Sequence, residues 1–195
     1  MKNQKSLNMV SLFVRFGLCV ALAFSTLLTP SAQAQNSKAW TSVASAGTVN
    51  DQDQPYVELS GGGLASLNNA APDSHTAFIR FNVTAVDGLF VAGYPQLRVR
   101  FQDNGANAQV VVSLMEYDFK TATLKKILEL DSNDFASAPG LQTQKTDACA
   151  AFALTSFNFT DKAYYIDAKL IRTGAGGVPR LAVVQVYNNP ASCVG

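Results

Sequence analysis

His75 is the only histidine in the 195-residue chain. A metal site built on several imidazoles is therefore excluded, and any Ser-His-Asp arrangement would have to pass through this one ring. Asp73 and Ser74 precede it directly. Neighbouring side chains of an extended segment point to opposite faces and triads assemble from distant segments, so this adjacency carries no chemistry. No Gly-x-Ser-x-Gly elbow occurs. The run Gly174-Ala175-Gly176-Gly177 has the composition of a phosphate loop, but Val178-Pro179-Arg180 leads into a strand pattern where such loops need a helix N-terminus. It reads as a hairpin turn, flanked by Arg172 and Arg180, a pair that could attract an anion or stand as ordinary surface.

Acidic residues suggest two further chemistries. Asp51 with Asp53, and Asp131 with Asn133 and Asp134, are oxygen-rich clusters of the kind that hold calcium in loops of exported β-proteins. Neither has the full Asp-x-Asp-x-Asp-Gly…Glu spacing, so solvated turns are the alternative to calcium as a cofactor. A paired-carboxylate glycosidase would need two of Glu58, Glu116 and Glu129 to face each other across a cleft. Aromatic side chains offer a third chemistry, stacking of sugar rings, for which Trp40, Tyr94, Tyr117, Tyr165 and Tyr187 form the candidate platform. Core packing and cross-strand pairing are the competing uses of such rings.

Strands must position these groups. Ile79, Phe81 and Val83 alternate with Arg80, Asn82 and Thr84, and Leu97, Val99 and Phe101 alternate with Arg98, Arg100 and Gln102. This is the period of strands with one wet face. Tyr164, Ile166, Ala168 and Leu170 alternate in turn with Tyr165, Asp167, Lys169 and Ile171, which places Tyr165 opposite the apolar face. Segments 108–117, 151–159 and 180–187 also read as strands, with 40–49 and 56–59 as weaker candidates before the Gly61-Gly62-Gly63 stretch. Segment 124–130 fits a strand, although Leu124, Ile127 and Leu128 also fit helical spacing.

Asp103-Asn104-Gly105 follows one strand and precedes another, and Asn-Gly enters a type I′ turn readily. A hairpin joining 96–102 to 108–117 is expected there, and a second reversal at 118–122. Strands at roughly ten-residue spacing, with no long helix, imply an all-β, single-domain antiparallel β-sandwich, a jelly roll as first choice and an immunoglobulin-like sandwich as second.

The block Arg80 to Leu89, the block Arg98 to Tyr117 with its Asp103-to-Ala108 turn, and the block Tyr164 to Val186 with its Gly174-to-Gly177 turn resemble a group of small secreted bacterial β-rich proteins with no assigned activity. The resemblance spans most of the chain after its first 34 residues. It implies a shared exported fold and supplies no catalytic residue.

Export is also legible from the N-terminus. Lys2, Lys5 and Arg15 precede the apolar run Phe16 to Leu28, and Pro30 stands just before Ala32-Gln33-Ala34. These are the three parts of a secretory signal, so cleavage is expected after Ala34, leaving 35–195 as the folded domain in the periplasm or outside the cell, with no membrane span. The alternatives are a lipoprotein signal using Cys19 and a retained anchor from Met9 to Leu28. Removing three cations takes the formal net charge from +1 to −2. A near-neutral surface argues against broad capture of nucleic acid or anionic membrane.

Of three cysteines, Cys19 leaves with the signal, and Cys149 and Cys193 remain as an even pair in an oxidising space. One disulfide is expected, and closing a loop of this length stabilises by roughly 4 kcal/mol on the chain-entropy account. Three functions stay open. One is a non-enzymatic exported protein that binds or associates structurally, with a glycan or an envelope protein as partner. The second is a carbohydrate-recognition module, which requires exposed aromatics on one sheet, and the third is a hydrolase, which requires titratable groups converging in a pocket.

Overall fold

The computed structural model describes residues 39–85, 89, 94–147, 149–150 and 157–189. These residues all belong to one compact unit, Ser37–Gly195. Eleven strands follow in chain order: β1 Ala39–Val43, β2 Thr48–Val49, β3 Val57–Leu59, β4 Ala65–Leu67, β5 His75–Val83 and β6 Tyr94–Gln102, then β7 Ala108–Asp118, β8 Thr123–Asp131, β9 Gln142–Lys145, β10 Lys162–Arg172 and β11 Arg180–Asn189. They form two sheets in which the described pairings are all antiparallel. The six-stranded sheet has the order β3-β4-β11-β6-β9, with β1 also on β11, and the five-stranded sheet has the order β2-β5-β10-β7-β8.

From β5 onward the chain passes from sheet to sheet at almost every connection, which is the wrapping of a jelly roll. Of the strands from β5 onward, only β7 and β8 are joined as a hairpin of paired neighbours, through the reversal at 119–122, as β3 and β4 are earlier in the chain. There the Asp118 carboxylate accepts from the Lys120 and Thr121 amides, and Ala122 takes a left-handed φ of 52°.

The Asn-Gly turn behaves differently from the hairpin expected of it. β6 pairs with β11 and β9, whereas β7 pairs with β10 and β8, so the turn crosses between sheets. Gly105 has φ 137° but Asn104 is not in the left-handed region, which rules out a type I′ geometry. The 174–177 turn likewise joins β10 and β11 across the sandwich and is not a hairpin. The two crossing turns interlock. Asn104 donates to the Gly176 carbonyl at 2.9 Å and accepts from the Val178 amide at 2.7 Å, and Asn107 donates to the Ala175 carbonyl at 3.1 Å.

The core lies between the sheets. Leu97, Val99 and Phe101 of β6 and Val184 and Val186 of β11 face Ile79 and Phe81 of β5, Ile166 and Leu170 of β10, and Val110, Val112 and Leu114 of β7. Fully burying a side chain of this size stabilises by about 1.5–3 kcal/mol, so the alternation of apolar residues alone sets which face of each strand turns inward. Segment 123–131 is a strand and not a helix, since β8 pairs along β7 from Val111 to Asp118. Segment 40–49 is split. β1 lies on β11, a 3₁₀ turn at Ala44–Ala46 follows, and β2 lies on β5 in the other sheet. Of the strand expected at 151–159, residues 151–156 lie outside the described residues, and Phe157 to Phe159 form no strand.

Buried polar groups brace the ends. Arg172 is 8% exposed and donates to four carbonyls, those of Gly177, Ala71, Asn68 and Leu67. It is therefore a buried brace and not the surface cation expected beside the glycine-rich turn. Asp103 accepts from the Ser132 hydroxyl at 2.5 Å and from the Gly105 amide at 3.1 Å, and Ser132 in turn accepts from the Val110 amide at 2.9 Å.

Candidate functional site

The outer face of the five-stranded sheet collects most of the side chains with binding chemistry. Register places Thr48, Arg80, Asp167, Ser113 and Glu129 in one row across all five strands. The row on one side holds Asn82, Tyr165, Met115 and Lys126, and the row on the other holds Phe78, Lys169, Val111 and Asp131. Arg80 anchors the middle row. Its Nε and Nη2 donate to the two oxygens of Asp167 at 2.8 and 3.2 Å, and its guanidinium stacks over the Tyr165 ring, 4.6 Å from the centroid. The hydrogen bond to Asp167 pushes the Arg80 pKa further up. Burial, and then the Asp167 charge, hold the Tyr165 phenol above its ordinary range, so it is a neutral donor. Lys169 sits 5.9 Å from the Phe78 ring centroid.

Beside this row, Thr48, Val49, Asn50, Phe78, Arg80, Asn82 and Asp167 line a shallow groove of about 630 Å³. Three β5 residues reach it because side chains two apart share a face, and β2 supplies the far wall by pairing Thr48 with Arg80. The Asn50 amide donates to the Phe78 carbonyl at 3.1 Å, which fixes where the strand leaves the groove. Two carboxamides, a carboxylate, a guanidinium and a hydroxyl offer donors and acceptors in fixed directions, next to the exposed Phe78 ring.

At the opposite end of the face lies an apolar patch. Tyr117 and Leu124 are register partners on β7 and β8, Phe119 contacts Tyr117 edge-on at 6.0 Å, and all three are exposed. On the near side of the patch, Lys126 and then Ser113 hydrogen-bond Glu129 and hold its carboxyl below the usual range.

The five rings expected to form one platform are distributed over three environments. Tyr165 and Tyr117 share the outer face of the five-stranded sheet. Trp40 is in the core at 8% exposure, because β1 turns it inward opposite Val186. Tyr187 lies on the outer face of the other sheet, where its hydroxyl donates to the buried Gln96 at 2.6 Å and Arg98 covers its ring. Tyr94, half-buried, opens β6 opposite Asn189.

The acidic clusters are engaged locally. Both oxygens of Asp131 accept from the Gln109 amide at 2.8 Å and one also accepts from the Asn133 amide, while Asn133 and Asp134 are exposed in the 3₁₀ turn. Asp51 accepts from Gln54, and Asp53 is buried. Among the described residues no three His, Cys, Asp or Glu side chains converge as a metal site would require. Glu116 pairs with Lys162 at 2.6 Å, Glu129 lies on the five-stranded sheet, and Glu58 belongs to β3 of the other sheet, so the three glutamates do not share a cleft.

His75 opens β5, its Nε2 3.5 Å from Asp53 without the alignment of a hydrogen bond, and Tyr56 packs edge-on against the ring at 4.6 Å. Asp53 accepts instead from the Phe78 amide at 2.9 Å. This holds the 50–56 loop, whose first residue Asn50 lines the groove, against β5. Cys149 lies in an exposed turn, and Cys193 lies outside the described residues.

Asn50, Thr48, Phe78 and Asp167 are site residues that the motif search passed over. The alternation in β5 already assigned Arg80 and Asn82 to a wet face. What it lacked was the cross-strand register that sets Asp167 beside Arg80.

No family model matches the sequence, and no curated protein matches it. Among solved structures, the chain is similar to the xylan-binding module CBM15, with 8% identity, a TM-score of 0.46, and 80% of this chain and 99% of that one covered. It is also similar to the C-terminal CBM6 of LamC, a marine laminarinase from Zobellia galactanivorans, with 12% identity, a TM-score of 0.40, and coverage of 77% and 100%. A family two carbohydrate esterase from Cellvibrio japonicus is matched at 11% identity and a TM-score of 0.38, with 78% of this chain covered and only 34% of the esterase's length spanned. At these identities the likeness is one of fold.

Proposed function

We propose that the protein is an exported, non-catalytic binding protein whose ligand is a glycan, held in the groove beside Arg80 and Asp167. The observation that carries this reading is the junction of fixed polar groups with an exposed ring on one rigid sheet face: Arg80, Asp167, Asn82 and Asn50 beside Phe78, with the Arg80 guanidinium seated on Tyr165. Sugars present hydroxyls along their edges and C–H groups on their faces, and this surface offers directed polar partners for the first and the exposed Phe78 ring for the second. Strands hold these groups with little entropy left to lose on binding. The signal sequence, cleavage after Ala34 and a Cys149–Cys193 disulfide belong to the same reading. They are tested by N-terminal sequencing and by a thiol count on the exported protein.

The deciding experiment is a glycan array probed with the purified exported protein, repeated with the Phe78→Ala and Asn82→Ala variants. Selective binding that each substitution weakens about tenfold supports the reading. Binding unchanged in both variants, or no binding to any glycan, overturns it. A second reading, association with an envelope protein, is favoured by the exposed Tyr117, Phe119 and Leu124 patch. It predicts that Leu124→Lys abolishes co-purification of a partner and leaves glycan binding intact.

A further inference from the structure

The near-neutral whole-chain charge conceals a local basic cluster where β6 meets β9, on a face whose acid, Glu58, lies in the row of Arg180 at the far edge. On the outer face of the six-stranded sheet, Arg98 and Arg100 of β6 stand opposite the core residues Leu97, Val99 and Phe101, and Arg98 is the register partner of Lys145 on β9. Arg180 of β11 lies next to Gln102 on the same face and donates to it at 3.3 Å. All four cations are exposed, and among the described residues none forms an ion pair. The five-stranded sheet pairs two of its cations, Arg80 with Asp167 and Lys126 with Glu129, while Lys169 lies by the Phe78 ring. Like charges directly opposite on neighbouring strands destabilise a sheet, so the Arg98–Lys145 pair is unfavourable until an anion lies across it.

Neutral donors and acceptors extend this basic row. Arg98 donates to the Gln185 side chain at 3.1 Å, and Gln185 donates to the Thr41 hydroxyl at 2.9 Å. A polar line of Lys145, Arg98, Gln185 and Thr41 therefore crosses four strands, and Arg100 with Thr143 begins the next line. Side chains two apart along β6 are about 7 Å apart, and neighbouring strands about 4.8 Å. The result is a lattice of cations interleaved with hydroxyl-matching groups.

We infer that this face binds a carboxylate-bearing polysaccharide, with Arg98, Arg100 and Lys145 meeting its carboxylates while Gln185, Thr41 and Thr143 meet its hydroxyls. A guanidinium fork matches a carboxylate bidentately, which favours arginine over lysine at the centre of the row. Single-stranded nucleic acid would need exposed rings for its bases. Tyr187 is not offered for that purpose, since Arg98 lies over its ring and its hydroxyl is donated to Gln96. The surface is separate from the groove on the five-stranded sheet and binds independently of it.

Affinity electrophoresis of the purified exported protein through gels containing a polyuronate, a neutral xylan, heparin or duplex DNA tests this inference. Retardation by the polyuronate that falls at high salt, and falls about tenfold in the Arg98→Gln/Arg100→Gln/Lys145→Gln variant, is the expected result. The Arg98→Lys/Arg100→Lys variant keeps the charge and loses the fork, and it is expected to bind more weakly than the native protein with an unchanged melting curve. Phe78→Ala is expected to leave polyuronate binding untouched, which separates failure of this inference from failure of the groove reading. No retardation by the polyuronate, equal retardation by heparin or DNA, or full binding by the charge-neutralised variant would overturn it.

Discussion

Arg80 and Asp167, 87 residues apart in sequence, meet through two parallel hydrogen bonds of 2.8 and 3.2 Å on adjacent strands of the five-stranded sheet. The Arg80 side chain is 60% exposed, and an ion pair in that position contributes at most about 1 kcal/mol. Its consequence is geometric: it presents two planar groups in one orientation beside the Tyr165 ring.

Replacing Arg80 therefore separates binding from stability. Arg80→Gln is expected to shift unfolding by less than about 1 kcal/mol while weakening glycan binding about tenfold. Urea melts and isothermal titration on the same preparation check both halves. A loss of stability with intact binding would mean that the pair serves the fold alone.

Arg172 gives the opposite pattern. Its guanidinium is buried among backbone carbonyls from the 67–71 segment and from Gly177, with no carboxylate partner among the described residues. Arg172→Met keeps much of the volume but leaves these carbonyls without their donor, and it is expected to destabilise by about 2–4 kcal/mol. Thermal unfolding measures this, and a change within 0.5 kcal/mol, roughly the scale of an ordinary surface substitution, would contradict it.

Gly177 is needed for close approach. A Cβ there would collide with the backbone carbonyl of Asn107, which is itself held by the Thr173 amide at 3.0 Å. Gly177→Ala must therefore push the two crossing turns apart, at a cost of about 1–3 kcal/mol. Gly176→Ala meets no neighbour but sits at φ 80°, so its cost is one of backbone conformation. A melting series of the two variants should place Gly177→Ala lower and show that it alone loosens the 103–107 turn in hydrogen exchange.

Tyr164 sets an alkaline limit. Burial pushes its phenol above the ordinary range; its oxygen accepts from the Asn158 amide at 3.1 Å, and its ring packs against Phe157 and Phe159. A group whose pKa is raised on folding contributes stability that is present below its unfolded value, here about 10, and is lost as pH rises through the folded value. Unfolding free energy is expected to fall as pH rises above about 10, and the fall should be shallower in Tyr164→Phe. Identical slopes would assign the alkaline loss to other groups.

Much of the sandwich was legible because alternation is a local property. The inward sets Ile79-Phe81-Val83, Leu97-Val99-Phe101 and Tyr164-Ile166-Ala168-Leu170 are all buried. Short strands were not legible: β4 and β9 hold three and four residues, too few for a period to register. The platform was half legible. Tyr165 was placed on a wet face, but Trp40 went to the core because the chain switches sheets at Ala44–Ala46, a step with no signature in the sequence.

Alternation in the longer segments and turn residues between them determined that the chain makes strands and which face of β5, β6 and β10 turns inward, since each depends on residues within a few positions. Only the tertiary structure decided which strands pair. The Asn-Gly turn reads locally as a hairpin, yet it crosses between sheets, because β6 pairs along β11 and β7 along β10. The same long-range pairing brings Asp167 to Arg80 and sets Arg98 beside Lys145. Register is a property of two strands at once, fixed by the burial of both inner faces, and no single segment carries it.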